Sequence, residues 1–386
     1  LSATPLNLGN KDLYNLLQLL APGDFENVAI LESRLEPNAV LNRLSAGLFD
    51  NNQTPSKRAE LIQTLDLMKF GPITRSRPEC QELEVLLRKD ELSPSDKANA
   101  KRLISSLHAL STVVTRTRKV EVQDKKSVRS AQQIIVKWTP EEAALYLAIE
   151  KWQMNRALSK DIPPGFATQM PLRLASSCLP AARDRIIKMR AGAILVEADA
   201  VSGDSPNSDQ NAAAEDLPTA EVIEAANRLG DVDTKLKAFL DALLPIIHDN
   251  KRVLVFTFSR YTLSYLETQM QGRMRFAVMH GDVPKAERHK IMQDFREDKY
   301  DVLLASRVAS EGLDFEFCSA VVNYDLPWNP MEVEQRIGRI DRFGQTEDKI
   351  IILNFHTPGT IESEIVERIH NRIGVFEDSI GELEPI

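Results

Sequence analysis

From residue 251 onward the chain alternates short apolar runs with amphipathic stretches, and this alternation restricts its fold more than any other feature. KRVLVFTF reads as a buried strand and SRYTLSYLETQM as the helix after it. RMRFAVMH and PKAERHKIMQDFRE repeat the pair. YDVLLAS and SAVVNYD are two more strands, EVEQRIGRIDRF a helix and KIIILNF a fifth strand. Strands this uniformly apolar are covered on both faces, and helical crossovers between them require a parallel sheet. The expected class is therefore α/β. No repeat of 20–50 residues is visible.

The residues before this region follow other patterns. Leu13, Leu16, Leu17 and Leu20 recur with helical period until Pro22-Gly23 stops them. From Asp24 to about Leu110 the pattern stays helical, with Thr54 an N-cap, Pro55 at the first turn and Leu61, Leu65 and Met68 an apolar stripe. Ser111 to Val122 alternates and is β-branched, which predicts a strand, with Lys125, Lys126 and Arg129 in a loop after it. Thr139 to Asn155 is a helix: Thr139 and Glu142 form a capping box, and Leu145, Ile149 and Trp152 share a face. Residues 196–220 are acidic, contain no Lys or Arg and show no apolar period, which predicts a disordered loop.

Composition narrows the function. The 386 residues carry a net charge of −8, which excludes a basic coat for nucleic acid but not a local basic groove. No apolar run approaches the ~18 residues of a membrane span. Cys80, Cys178 and Cys318 are far apart, giving no zinc spacing and no disulfide framework, so no metal ligand is expected and a reducing cytoplasm is.

Four segments carry chemistry. In Gln335-Arg336-Ile337-Gly338-Arg339-Ile340-Asp341-Arg342-Phe343-Gly344-Gln345, a continuous helix puts Gln335, Arg339 and Arg342 on one face, with Arg336 three residues before Arg339. Clustered guanidinium forks suit a phosphate with developing charge. Ala305 to Asp314 is a small-residue loop at a strand's C-terminal end, where parallel sheets bind ligands; its N–H groups can approach a phosphate and Asp314 can accept from a sugar hydroxyl. Met279-His280-Gly281-Asp282 follows a strand, with Arg288 and Phe295 on the next helix. Phe258-Ser259-Arg260-Tyr261 lies where a strand passes into a helix N-terminus, a natural phosphate site. Taken singly, these are equally a charged helix face, a turn, a structural histidine and a Ser N-cap.

Together, in this order, they resemble the C-terminal RecA-like lobe of superfamily-two helicases. Phe258-Ser259 resembles motif IV, Ser306 to Asp314 motif V and Gln335 to Arg342 motif VI. Arg342-Phe343-Gly344-Gln345 is similar to the R-x-G-Q of Swi/Snf-type DNA translocases, and Q-R-I-G-R-I-D-R with S-E-G looks most like their RapA-like bacterial branch. Leu1-Ser2-Ala3-Thr4-Pro5 is similar to motif III, which ends the third major strand of the first lobe, and DLYNLLQLLAP to the helix after it. Thr115 to Lys119 resembles the family's R-R-x-K-type strand, Val136 to Glu142 the segment linking the lobes, and Asp233-Thr234-Lys235-Leu236 the entry to the second lobe.

The resemblance implies the following organisation: residues 1–25 end the first RecA-like lobe, 26–110 are a helical insertion, 111–138 hold the last strand of the first lobe and a linker, 139–195 a helical linker or protrusion, 196–220 the acidic loop, and 221–386 the second RecA-like lobe. It implies ATP with Mg²⁺ between the lobes, Arg339 and Arg342 as arginine fingers and Gln335 beside the γ-phosphate, with Gly312, Asp314, Ser2 and Thr4 near the nucleotide. It also implies duplex DNA held through its backbone by Ser259, Arg260, His280, Gly281, Ser306 and Arg307, and a protein partner on the helical insertion.

No G-x-x-x-x-G-K-[ST] and no D-E-x-H-like acidic motif occur. In the family these lie upstream of motif III. The expectation is the C-terminal portion of a longer motor, inactive as an ATPase by itself. An RNA helicase fragment and a non-catalytic nucleic-acid-binding module derived from a helicase lobe are the alternatives.

Overall fold

The computed structural model describes residues 10–20, 26–48, 54–111, 127–190, 217–306, 313–342 and 344–379. Ser2, Thr4, Arg307 and Gly312, the expected strand at 111–122 and most of the expected acidic loop lie outside them. Two compact units separate. One holds the described residues up to 111 with 329–331 and 369–379; the other holds 127–328 and 332–368.

The first unit is helical: α1 (Asn10–Leu20), α2 (Val28–Gly47), α3 (Pro55–Gln63), α4 (Gly71–Ser76), α5 (Pro78–Leu87) and α6 (Pro94–Leu107). Their ends are written in the sequence. The Thr54 side chain accepts from Lys57 N with Pro55 at the first turn, and Ser93 and Asp96 form a capping box on α6. Leu41, Leu44, Ile62, Leu65, Leu83, Leu87, Leu103 and Ile104 bury their stripes together. Asn38, fully buried in α2, accepts from Ala109 N at 2.9 Å just beyond α6, which satisfies an otherwise costly buried amide.

The second unit holds the parallel α/β sheet expected from the alternation. Its elements are β1 (Val128–Ile135), α7 (Pro140–Ser159), α8 (Pro164–Ala167), α9 (Gln169–Ser177), α10 (Leu179–Arg190), α11 (Ala220–Leu229), α12 (Thr234–His248), β2 (Val253–Phe256), α13 (Arg260–Met270), β3 (Phe276–Met279), α14 (Lys285–Arg296), β4 (Val302–Ala305), β5 (Ala320–Asn323), α15 (Pro330–Ile337), β6 (Lys349–His356) and α16 (Ile361–Ser379). The strand order is β1-β6-β5-β2-β4-β3, and every pairing is parallel. All residues of β2, β4 and β5 are buried, as central strands require. Phe239, Leu243, Val255, Leu304, Val322, Tyr324 and Phe355 form the core on one face.

One element departs from the sequence reading. Residues 128–135, within the segment 111–138 expected to end the first lobe, form an edge strand of this same sheet, paired with β6 from Val128–Lys349 to Ile135–His356. Arg129, expected in a loop, is on that strand.

Buried carboxylates tie the helices to one another. Glu142, 1% exposed, accepts from Thr139 N at 2.8 Å and from Thr234 N at 2.9 Å, so it serves the starts of both α7 and α12. Lys235 meets Glu362 at 2.7 Å and donates to Ser176 O at 3.0 Å. Burial pushes the Glu362 carboxyl up, and Lys235 draws it back down.

Candidate nucleotide and nucleic-acid site

The residues that the sequence singles out for phosphate chemistry lie in two places. The first is the C-terminal ends of β2, β4 and β3. Ser259 follows β2 and caps α13, its hydroxyl accepting from Thr262 N at 3.2 Å. Ser306 follows β4; it is 2% exposed, and its hydroxyl has no hydrogen-bond partner among the described residues. His280 and Gly281 follow β3. Asp282 N donates to His280 Nδ1 at 3.3 Å, so a neutral ring carries its proton on Nε2. Arg288 of α14 braces this loop by donating to Val283 O at 2.7 Å and Gly281 O at 2.5 Å. Arg260 ion-pairs with Asp282, which links the β2 and β3 loops.

Under this edge lies a polar network with no counterpart in the sequence reading. Asp325, 2% exposed, accepts from Thr257 Oγ1 at 2.5 Å, Ser177 Oγ at 2.8 Å and Phe258 N at 2.9 Å. It fixes the backbone just ahead of Ser259. Its position past a strand's C-terminal end was the available signal.

The second place is the turn after α15, where the structure corrects the helical reading. The α-helix ends at Ile337. Arg339 N then bonds to Arg336 O at 3.2 Å and Ile340 N to Ile337 O at 3.0 Å, the tighter pattern of a closing turn. Gly338 weakens the helix here, and a Cβ on it would stand 3.1 Å from Glu334 O. Gln335, Arg339 and Arg342 therefore do not form one continuous helical face. Gln335 is exposed on the outer side of α15, Arg339 half-buried and Arg342 exposed. Arg336 leaves the expected guanidinium cluster altogether: it is 5% exposed, donates to Asn323 Oδ1 at 2.8 Å and Asp325 O at 3.0 Å, and lies over the Phe256 ring.

The turn is anchored from several sides. Phe315 N donates to Arg339 O at 2.8 Å. Arg342 ion-pairs with Asp314 and donates to Gly338 O at 2.9 Å. Asp314 thus holds a guanidinium rather than standing free for a sugar. Asp341 and Glu334 both receive Arg129 of β1, at 2.8 and 2.7 Å, in a nearly dry pocket. Gln345 donates to Cys318 O at 2.8 Å and Ile340 O at 2.9 Å, so the Gln of the R-x-G-Q-like run is a brace. Gly344 before it has φ +94°, a conformation that strains any L side chain.

Residues 234–344 match the helicase conserved C-terminal domain, and the chain carries a helicase C-terminal region of RapA-like sequence. An uncharacterized ATP-dependent helicase of Bacillus subtilis, YqhH, is 39% identical over 135 residues, covering 35% of this chain and 24% of that protein. The RNA polymerase-associated protein RapA of Erwinia tasmaniensis is 38% identical over 135 residues, 33% of this chain and 14% of RapA. The similarity thus spans a quarter or less of these relatives. The C-terminal part of the Fun30 ATPase domain aligns at TM-score 0.43 with 18% identity, over 63% of this chain and 90% of that one.

Proposed function

We propose that this chain is the C-terminal part of an ATP-dependent DNA translocase of the Swi/Snf type. The observation carrying this reading is the turn after α15, inside the helicase-matched region, which holds two arginines against the loop entering β5. In this reading Arg339 and Arg342 are arginine fingers and Gln335 is assigned to the γ-phosphate. ATP fits the donors present: among the described residues, Arg342 is a half-exposed planar fork held by an exposed carboxylate and one carbonyl, so an incoming phosphate can take it over. ATP with Mg²⁺ supplies the phosphoryl group whose transfer drives translocation. The reading assigns Mg²⁺ to no described residue, since no group of three or more His, Cys, Asp or Glu among them could hold a metal. Ser2, Thr4 and Gly312 complete the nucleotide side, and Ser259, Arg260, His280, Gly281, Ser306 and Arg307 form the track for the backbone of duplex DNA in the bacterial cytosol.

The chain's own residues divide the work. Asp314 keeps the Arg342 fork extended until phosphate competes for it. Arg129 and Phe315 fix the turn so that the forks lose little freedom when engaged. The helical stretch 26–110 is a candidate surface for a protein partner.

The test uses the polypeptide containing this chain together with its nucleotide-binding lobe. Arg339→Lys and Arg342→Lys are each expected to lower DNA-stimulated kcat by about 10²-fold, roughly 2.7 kcal/mol, with little change in DNA affinity. Turnover within a few-fold of the parent in both variants overturns the finger assignment. The chain alone is expected to show no ATP turnover.

A further inference from the structure

One buried residue joins the two places that hold the site residues. Asp325 follows β5 and is 2% exposed. Its carboxylate faces the end of β2, accepting from Thr257 Oγ1 at 2.5 Å and from Phe258 N at 2.9 Å. Its main-chain carbonyl faces α15, accepting from Arg336 Nη1 at 3.0 Å. The same Nη1 donates to Asn323 Oδ1 at 2.8 Å. Asn323 ends β5 opposite Phe256 of β2, and its amide donates to Asn354 of β6 at 2.7 Å.

The contacts continue at both ends. On the β2 side, Thr257 Oγ1 also accepts from Ser259 N at 3.3 Å. Ser177 of α9 donates to the Asp325 carboxylate at 2.8 Å, and its oxygen lies 2.8 Å from Thr262 Oγ1 in the first turn of α13. On the α15 side, Arg336 O accepts from Arg339 N at 3.2 Å. A continuous series of hydrogen bonds therefore runs from Ser259 through Thr257, Asp325 and Arg336 to Arg339. Its first four members are each no more than 5% exposed. Hydrogen bonds to ionised groups are about twice as strong as neutral ones, and a water-poor site strengthens them. Burying a carboxylate and a guanidinium costs desolvation that apolar side chains of similar volume avoid, so packing alone does not call for them here. The Asp side chain is short. A shift of the β2 end that keeps its bonds to Asp325 therefore turns the Asp325 main chain, and with it the carbonyl that holds Arg336.

We propose that Asp325 and Arg336 are positioning residues that carry the placement of the β2 edge, and so of a nucleic-acid backbone bound there, to the turn bearing Arg339 and Arg342. This rests on the reading above of that edge as the track and of that turn as the arginine fingers. Asp325 acts through Ser259 and Arg336 through Arg339.

The polypeptide containing this chain together with its nucleotide-binding lobe is assayed for ATP turnover with and without saturating duplex DNA. The readout is the ratio of the two rates, which a smaller folded fraction leaves unchanged. Asp325→Ala and Arg336→Met are each expected to lower the ratio about fivefold, at the low end of coupling between sites. The double variant is expected to lose no more than the worse single one, because both changes break the same series. Asp325→Asn keeps an acceptor for Phe258 N and is expected to retain most of the ratio. If Asp325→Ala yields no soluble protein, Thr257→Val, which removes one hydroxyl of the series, takes its place with a smaller expected fall. A wild-type ratio in Arg336→Met and in the Asp325 or Thr257 variant overturns this inference and leaves the reading of the site standing. Losses that multiply in the double variant to about 25-fold also overturn it, because the two residues then act separately. A wild type that duplex DNA does not stimulate overturns the reading of the site, and this inference with it.

Discussion

Replacing Arg129 by Met removes the cation between Glu334 and Asp341. The Arg129 side chain is 8% exposed and that of Asp341 1%. Contacts of 2.7, 3.2 and 2.8 Å join the guanidinium to the two carboxylates. Removing one member of such a group costs about 3–5 kcal/mol, because the remaining charges stay buried without compensation. For an m-value of about 2–3 kcal/mol/M, the urea midpoint falls by about 1–2.5 M. Trp138, Trp152 and Trp328 all lie in the second unit, so tryptophan fluorescence reports its unfolding. A triple variant, Arg129→Met with Glu334→Gln and Asp341→Asn, carries no charge in the pocket and is expected to recover at least half the loss. A single-variant loss below about 1 kcal/mol, the range of a surface pair, refutes the claim that this pocket is a buried ionic clamp. A triple variant as unstable as the single one transfers the effect from charge to packing.

His108, at the end of the helical unit, has its pKa held down to about 4 by burial, from a reference of 6.5, and its Nε2 is sealed without a partner. The depressed folded value means that its contribution is complete above pH 6.5 and is lost as pH falls toward 4; about 2 kcal/mol is gone by pH 5, and His108→Gln flattens that part of the pH–stability curve measured by circular dichroism. Glu142→Ala leaves Thr139 N and Thr234 N without their acceptor, and at about 1 kcal/mol per lost cap it costs about 2 kcal/mol in urea melts; Glu142→Gln, which keeps one oxygen, loses less. Asp314→Ala leaves the melting temperature unchanged, because the Arg342 pair it breaks is exposed on both sides; a drop comparable to Arg129→Met contradicts the description of that turn.

The second unit was legible where apolar runs are uninterrupted. VLVF, VLLA and AVVN announce buried strands because each is covered on both faces. Capping chemistry located α3 and α7 for the same local reason: Thr54 and Thr139 satisfy first-turn N–H groups whatever the tertiary context. β1 was not legible. VRSAQQII carries two central glutamines because an edge strand is mostly exposed, and its only partner strand is far along the chain. The end of α15 was overrun because Gln335, Arg339 and Arg342 have helical spacing, whereas Gly338 and the Arg129–Asp341 contact favour a turn. The position of each site residue along the strands could be read, but not its partner: nothing in the linear order says that Asp314 faces Arg342 or that Asp282 faces Arg260.

The pairing of β1 with β6 also sets a timetable for synthesis. Ser127 Oγ, at the start of β1, donates to Glu347 O, 220 residues away. On a ribosome adding ~5–20 residues per second, β1 waits about 10–45 s before its partner exists. During that interval the strand exposes one hydrogen-bonding edge with no neighbour, and Arg129 has neither of its carboxylates. The central strands β2, β4 and β5 lie within 75 residues of one another and assemble first. The sheet therefore closes from its middle outward, and its earliest-made strand is among the last to be built in. A chain stalled before residue 349 holds that strand without its neighbour in the sheet, an open edge that any other strand can take.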